Sequence, residues 1–132
     1  KAVLPTMLLS QSGHIINIGS TAGKEVYPKG NVYCASKYAV DAINQGMRID
    51  LNGKGIKVGA INPGMVATEF SEVRFKGDTQ KATKIYQGFT PLQAKDIAEI
   101  IWFTVTRPAH VNIADLTVMA LDQASSTIVN KK

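Results

Sequence analysis

Three short apolar runs, alternating with segments of helical periodicity, limit this chain to one kind of architecture. The first is His14-Ile15-Ile16-Asn17-Ile18, β-branched and bounded by Gly13 and Gly19. The second covers residues 56–61 (IKVGAI) and the third residues 112–120 (NIADLTVMA). Runs this short, apolar and flanked by glycine or turn residues read as buried strands. Residues 2–10 read as a helix tail stopped by Gln11-Ser12-Gly13. Residues 32–51 carry Ala35, Ala39, Ala42, Ile43, Met47 and Leu51 at helical spacing, and Asn52-Gly53-Lys54-Gly55 stops them with glycine as the C-terminal cap. A third helix runs from Thr90-Pro91 through Ile97, Ile100, Ile101 and Phe103 to Arg107-Pro108, with Trp102 and Phe103 expected to pack it onto the sheet. The order helix, strand, helix, strand, helix, strand predicts an α/β fold with a parallel sheet covered by helices. Three strands are few for a doubly wound sheet, so the count describes half of one.

Function classes fall away on simple grounds. The 132 residues suit one domain, 1–132, with enough chain to bury a core. The net charge of +5 is spread out: seven Lys/Arg stand against three Asp/Glu in residues 1–66, and eight against seven in residues 67–132. Nucleic-acid binders concentrate basic charge on one element, and this chain does not. Lone Cys34 excludes an internal disulfide and fits a reducing, cytoplasmic setting. No apolar run has the length of a membrane span. Pro5 interrupts the N-terminal apolar run and no clear cleavage site follows, so a helix end is read there rather than a signal peptide.

The residues with chemistry to offer lie in GSTAGKEVYPKGNVYCASK, residues 19–37. Tyr33 and Lys37 are four apart, on one helix face. A phenol has a free pKa of ~10, and lowering it tenfold in acidity constant takes about 1.4 kcal/mol, so a base working near pH 7 needs about 4 kcal/mol of help. A neighbouring ammonium favours the phenolate, and a second positive charge is needed to reach that figure. Ser20, thirteen residues before Tyr33, would hold a substrate oxygen beside the phenol, which makes a proton-transfer site for alcohol–ketone chemistry. Taken alone, a Tyr-x-x-x-Lys pair is more often a solvated helix face. Cys34 reads as a small packed residue, and His14 and His110 have no metal-ligand spacing.

A buried strand running into GSTAG, then YCASK, then a strand ending in Asn62-Pro63-Gly64 with Met65-Val66-Ala67-Thr68 behind it, resembles the short-chain dehydrogenase/reductase family along the whole chain. The resemblance implies the C-terminal half of a doubly wound, parallel-sheet Rossmann fold. It implies Tyr33 as catalytic acid/base, Ser20 orienting the substrate, and Lys37 tuning the tyrosine and binding the nicotinamide ribose. It also implies a cofactor contact along Pro63, Gly64, Met65, Val66 and Thr68, where the Pro-Gly turn lets backbone approach the nicotinamide. TEFSEVRFKGD at 68–78 and RPAHVNI at 107–113 resemble a branch oxidising 3-hydroxy acids, such as serine, allo-threonine or 3-hydroxypropionate, with NADP; NAD is the alternative cofactor. The polar segment 68–88, with its own helix near 78–86, reads as the substrate lid. Within it Arg74, ahead of Lys76, is the candidate cation for a substrate carboxylate, against a solvated surface charge. A broad-range carbonyl reductase and a non-catalytic binding relative are the alternatives, and a homotetramer is implied by the resemblance.

Some expected machinery is not in these residues. A dinucleotide enzyme carries a Gly-rich turn after its first strand, at a helix N-terminus. GSTAG follows a later strand and carries the serine instead. The family's active-site Asn and the residue selecting NAD or NADP are also expected upstream. The partner expected for this chain is therefore an N-terminal half of the same protein. Without it, the 132 residues are expected neither to bind the cofactor tightly nor to turn over.

Overall fold

The structure, a computed structural model, describes residues 2–74 and 76–132. Lys1, and Phe75 within the 68–78 stretch, lie outside the described residues. Helix α1 (Leu4–Ser10) carries Pro5 in its first turn, which the fixed φ of proline suits. Strand β1 (Gly13–Ile18) follows, then a short 3-10 turn at Thr21–Gly23 and the long helix α2 (Asn31–Asp50). Gly53 and Gly55, at φ 76° and 69°, turn the chain back into β2 (Ile56–Pro63).

The first, second and last strands make the expected parallel sheet. β1 pairs with β2 from Gly13↔Ile56 to Ile18↔Ile61. β5 (Asp115–Val118) pairs with the end of β2, from Ala60↔Asp115 to Pro63↔Val118. The order β1-β2-β5 puts the β2 strand in the middle, and seven of its eight residues are buried. The core sits beneath it: Leu51, Ile56 and Val58, with Leu4, Met7, Ile15 and Met47 packed around them. This apolar layer between sheet and α2 holds the helix that carries Tyr33.

Four details differ from expectation. The last strand is shorter than 112–120. Asn112 donates its side-chain amide to Val58 O (3.0 Å), so side chain replaces backbone at the point where pairing would otherwise begin. Two small strands, β3 (Val66–Ala67) and β4 (Leu92–Gln93), form a separate parallel pair. The segment expected to be helical from residue 90 is therefore extended until α5 (Ala94–Val105), whose N-terminus is fixed by Gln93 N–H donating to Asp96 Oδ2 (2.7 Å). The 68–88 segment holds two helices, α3 (Phe70–Arg74) and α4 (Thr79–Tyr86). Asp78 caps the second by accepting from Lys81 N–H (3.0 Å). Finally, Trp102 and Phe103 do not pack α5 onto the sheet: they are 70% and 47% exposed, while Thr104 is 1% exposed. The inward stripe runs through Ile97, Ile100, Ile101 and Thr104 at i, i+3, i+4 and i+7, which leaves Trp102 and Phe103 beside it.

Candidate active site

Parallel sheets gather ligands at the C-terminal ends of their strands, and the predicted residues collect at that end. β1 gives way to Gly19 and Ser20. Gly19 N–H donates to Ile61 O (2.8 Å), so the loop stays attached to β2 after the strand proper has ended. A Cβ on Gly19 would run into Asn62 Oδ1. Asn62 in turn donates to Asp115 Oδ1 (2.9 Å), and the other oxygen of Asp115 meets Lys24 Nζ at 2.7 Å. Lys24 also meets Asp41 Oδ1 on α2 at 2.7 Å. Burial works to lower the Lys24 pKa, but the hydrogen bonds to Asp115 and Asp41 outweigh it and hold the ammonium above its usual value. The same hydrogen bond from Lys24 holds the Asp41 carboxyl below the usual range. The serine loop is thus joined to α2 and to β5 by one ion network.

Ser20 is extended (φ −172°, ψ 158°), and its Oγ accepts from Ala22 N–H at 3.1 Å. One lone pair is used, and the hydroxyl proton is left for another acceptor. The 3-10 turn lies flat on α2: a Cβ on Gly23 would stand 2.8 Å from Lys37 O. Tyr33 and Lys37 share a face of α2, with Lys37 Nζ 5.8 Å from the Tyr33 ring centroid. The ammonium is anchored by donating to Ile18 O, the last carbonyl of β1, at 3.2 Å. On its other side the Tyr33 ring meets Phe70 of α3, centroids 5.6 Å apart and planes at 45°.

The Pro-Gly turn after β2 forms the facing wall. Gly64 N–H donates to Val118 O (2.8 Å) and Met65 N–H to the side chain of Gln123 (2.9 Å). Leu92 N–H donates to Met65 O (3.1 Å), and the Tyr86 hydroxyl to Val66 O (2.8 Å). Tyr86 also lies 2.6 Å from Ser71 Oγ, so both helices of the 68–88 segment are tied to the turn. Thr68 Oγ1 accepts from Phe70 N–H at 3.4 Å. Arg74 donates to the Tyr27 hydroxyl (3.2 Å) and lies 5.4 Å from that ring's centroid, so it bridges α3 to the serine loop.

These walls enclose a cavity of about 620 Å³. All nine residues singled out from the sequence border it: Ser20, Tyr33 and Lys37, residues 63–66, Thr68 and Arg74. Tyr27, Ser71, Tyr86 and Gln123 border it too, and sequence reasoning missed them. Cys34 is buried at 1% exposure, behind the Tyr33 face. Among the described residues no group of His, Cys, Asp and Glu could hold a metal ion, and no helix is long and apolar enough to cross a membrane. The Ser20 hydroxyl, the Tyr33 phenol and the anchored Lys37 ammonium face one cavity with the backbone of the 63–66 turn, an arrangement able to move a proton on a small oxygenated molecule.

The chain is similar to known proteins. The family model for short chain dehydrogenases matches residues 1–79. The chain is 50% identical over 125 residues to the NADP-dependent 3-hydroxy acid dehydrogenase YdfG of Salmonella typhi, over 94% of this chain and 50% of that protein. An uncharacterized oxidoreductase of Mycobacterium tuberculosis is 45% identical over 127 residues, 96% of this chain and 51% of its own length. Among solved structures, the closed form of a serine dehydrogenase complexed with NADP+ superposes with a TM-score of 0.92 at 47% identity, over 99% of this chain and 53% of that one. The serine dehydrogenase of Escherichia coli superposes with a TM-score of 0.74 at 38% identity, over 93% of this chain and 47% of that one. The chain spans about half the length of the curated relatives it matches.

Proposed function

The chain belongs to the short-chain dehydrogenase family, and on that premise we propose that it is the catalytic half of an NADP-dependent dehydrogenase acting on the hydroxyl of a 3-hydroxy acid. The observation that carries this reading is the single cavity shared by Ser20, Tyr33, Lys37 and the 63–66 turn. The residues present fit the nicotinamide end of the cofactor. Gly64 brings bare backbone to the cavity at a position where a Cβ would strike Gln123, and Gly19 does the same against Asn62. They do not include a Gly-rich phosphate turn, and a segment outside residues 1–132 is assigned that task, in keeping with relatives twice as long.

When bound, the nicotinamide dinucleotide supplies or accepts the hydride. The chain's own residues handle the proton and the substrate. Ser20 donates its free hydroxyl proton to the substrate oxygen and fixes it beside Tyr33. Tyr33 takes the proton from the alcohol, or returns it to the carbonyl. Lys37, held by Ile18 O, keeps a positive charge on the tyrosine's side of the cavity as negative charge forms on the phenolic oxygen. Arg74, positioned through Tyr27, receives the carboxylate of a 3-hydroxy acid. NADP is favoured over NAD because YdfG is NADP-dependent and the serine dehydrogenase of the 0.92 superposition holds NADP+. Helix α2 leaves Val32, Tyr38, Ile43 and Ile49 exposed, which supports a homotetramer built on that helix.

The test is an assay of the full-length protein that carries this chain with L-serine, L-allo-threonine and 3-hydroxypropionate, using NADP and NAD in turn. Tyr33→Phe is expected to lower turnover at least ~100-fold while cofactor binding persists. Equal turnover in the Tyr33→Phe variant would refute the assignment. Comparable rates on uncharged secondary alcohols would favour a broad carbonyl reductase instead.

A further inference from the structure

The residues that follow β5 carry no chemical role in the reading above, yet they meet the serine loop, the 63–66 turn and the end of α4. They fold into a small hairpin. Gln123 bridges to Val129, Ala124 N–H donates to Ile128 O (2.9 Å) and Asn130 N–H to Asp122 O (2.8 Å). At its base Gln123 is only 5% exposed. The side-chain oxygen of Gln123 accepts from Met65 N–H (2.9 Å), while its amide donates to Ser125 O (3.1 Å). At its tip, Ser126 N–H donates to the Glu25 carboxylate, and Ser126 Oγ donates to the hydroxyl of Thr21, which is the residue after Ser20 (3.2 Å). Past the hairpin, Lys132 N–H donates to Gly88 O (2.8 Å), and Lys131 Nζ to Ile85 O (2.9 Å) at the end of α4.

We propose that Gln123 is a positioning residue for the nicotinamide carboxamide. It fixes the direction of the Met65 peptide, and so the backbone of Met65 and Val66 that faces that group. The inference rests on the proposed function. Its physical basis is an exclusion. A backbone N–H withdrawn from water needs an acceptor, and that of half-buried Met65 finds it in a side chain that is itself held at both ends. Gln123 lies directly against Gly64, where even a methyl group would meet its Oε1. With Met65 N–H committed to Gln123 and Met65 O to Leu92 N–H, the peptide on each side of Met65 has one hydrogen bond fixing its direction, and Gln123 supplies the one on the Gly64 side. A tail that served only to cover the core would not need its one buried amide aimed at this peptide.

The experiment uses the full-length protein and the variants Gln123→Met and Gln123→Glu. Glu keeps an oxygen on Met65 N–H; Met, of similar size, does not. Dissociation constants are measured by calorimetry for NADP+ and for 2′-phospho-ADP-ribose, which lacks the nicotinamide. Gln123→Met is expected to weaken NADP+ about ten-fold, the scale of one lost hydrogen bond to a buried group, and to leave 2′-phospho-ADP-ribose within about two-fold. Gln123→Glu, which keeps the acceptor for Met65 N–H but loses the donor to Ser125 O, is expected to bind NADP+ with an affinity between the natural protein and Gln123→Met. Amide hydrogen exchange at Met65, read without any ligand, is expected to be slow in the natural protein and in Gln123→Glu, and faster in Gln123→Met. Equal weakening of both ligands, weakening of neither, or an unprotected Met65 amide in the natural protein overturns the inference. A natural protein that binds neither ligand overturns the proposed function as well, so the two failures are told apart.

Discussion

Replacing Lys24 by methionine tests whether the ion network under the serine loop contributes to the fold as its geometry requires. The Lys24 ammonium meets Asp41 and Asp115 at 2.7 Å each, joining the loop to α2 and β5. Distance alone would suggest a large energy, but the side chains are 35%, 18% and 38% exposed for Lys24, Asp41 and Asp115. Water screens such pairs to about 0.5 kcal/mol each, so the network contributes about 1 kcal/mol. For a chain of this size that corresponds to a fall of about 4 °C in melting temperature. The pH dependence follows from the two perturbed groups. Asp41 is held below its ordinary 3.8, so its share is present above that value and lost as the pH falls through the lower folded one. Lys24 is held above its ordinary 10.5, so its share is present below that value and lost as the pH climbs through the higher folded one. Urea unfolding of the natural protein and Lys24→Met should therefore differ by a constant amount between about pH 5 and pH 10. The difference should shrink on both sides and fall further in high salt. A gap that is absent at neutral pH, or that widens toward pH 3, would mean that the ion pairs are not what holds this loop.

Other perturbations probe separate layers. Gly19→Ala should destabilise the chain by about 2 kcal/mol, because its Cβ meets Asn62 Oδ1 and the loop must shift; unfolding that matches the natural protein would show the contact to be slack. Tyr86→Phe removes the hydroxyl shared with Ser71 and Val66. Amide exchange should then speed up about ten-fold across residues 70–86 and stay unchanged in β2, whereas uniform acceleration would assign Tyr86 to global stability. Both ring nitrogens of His14 are buried without a hydrogen-bond partner among the described residues, and burial, with Lys57 adding to it, lowers its pKa. Stability carried by a neutral buried imidazole is present above the unfolded pKa near 6.5 and lost as the pH falls. His14→Leu should therefore gain about 1 kcal/mol at pH 7 and flatten the acid slope just below pH 6.5; an unchanged slope would place its origin elsewhere.

The parts of this molecule that could be read from its residues are those fixed by backbone periodicity. β2 had to be nearly all apolar because it is the middle strand of a parallel sheet, and IKVGAINP is buried along almost its whole length. Ser20, Tyr33, Lys37 and the 63–66 turn were singled out by their resemblance to one family's motifs; periodicity only put Tyr33 and Lys37 on one helix face and the other two near strand ends. Gln123, Tyr86 and Tyr27 gave no such signal. Their partners lie 58, 20 and 47 residues away, and a glutamine in a polar tail or a tyrosine in a short helix looks the same whether or not it meets them. Trp102 and Phe103 show the opposite failure, since being large and apolar did not bring them into the stripe that α5 turns inward. The proposed proton-transfer groups thus belong to short motifs that a local stretch of sequence can display. The side chains that hold one turn against another are specified only by the folded whole, and in this site they include Gln123, Tyr86 and Lys24. Variants in the first set should alter chemistry on an intact scaffold, and variants in the second should alter the geometry in which intact chemistry operates.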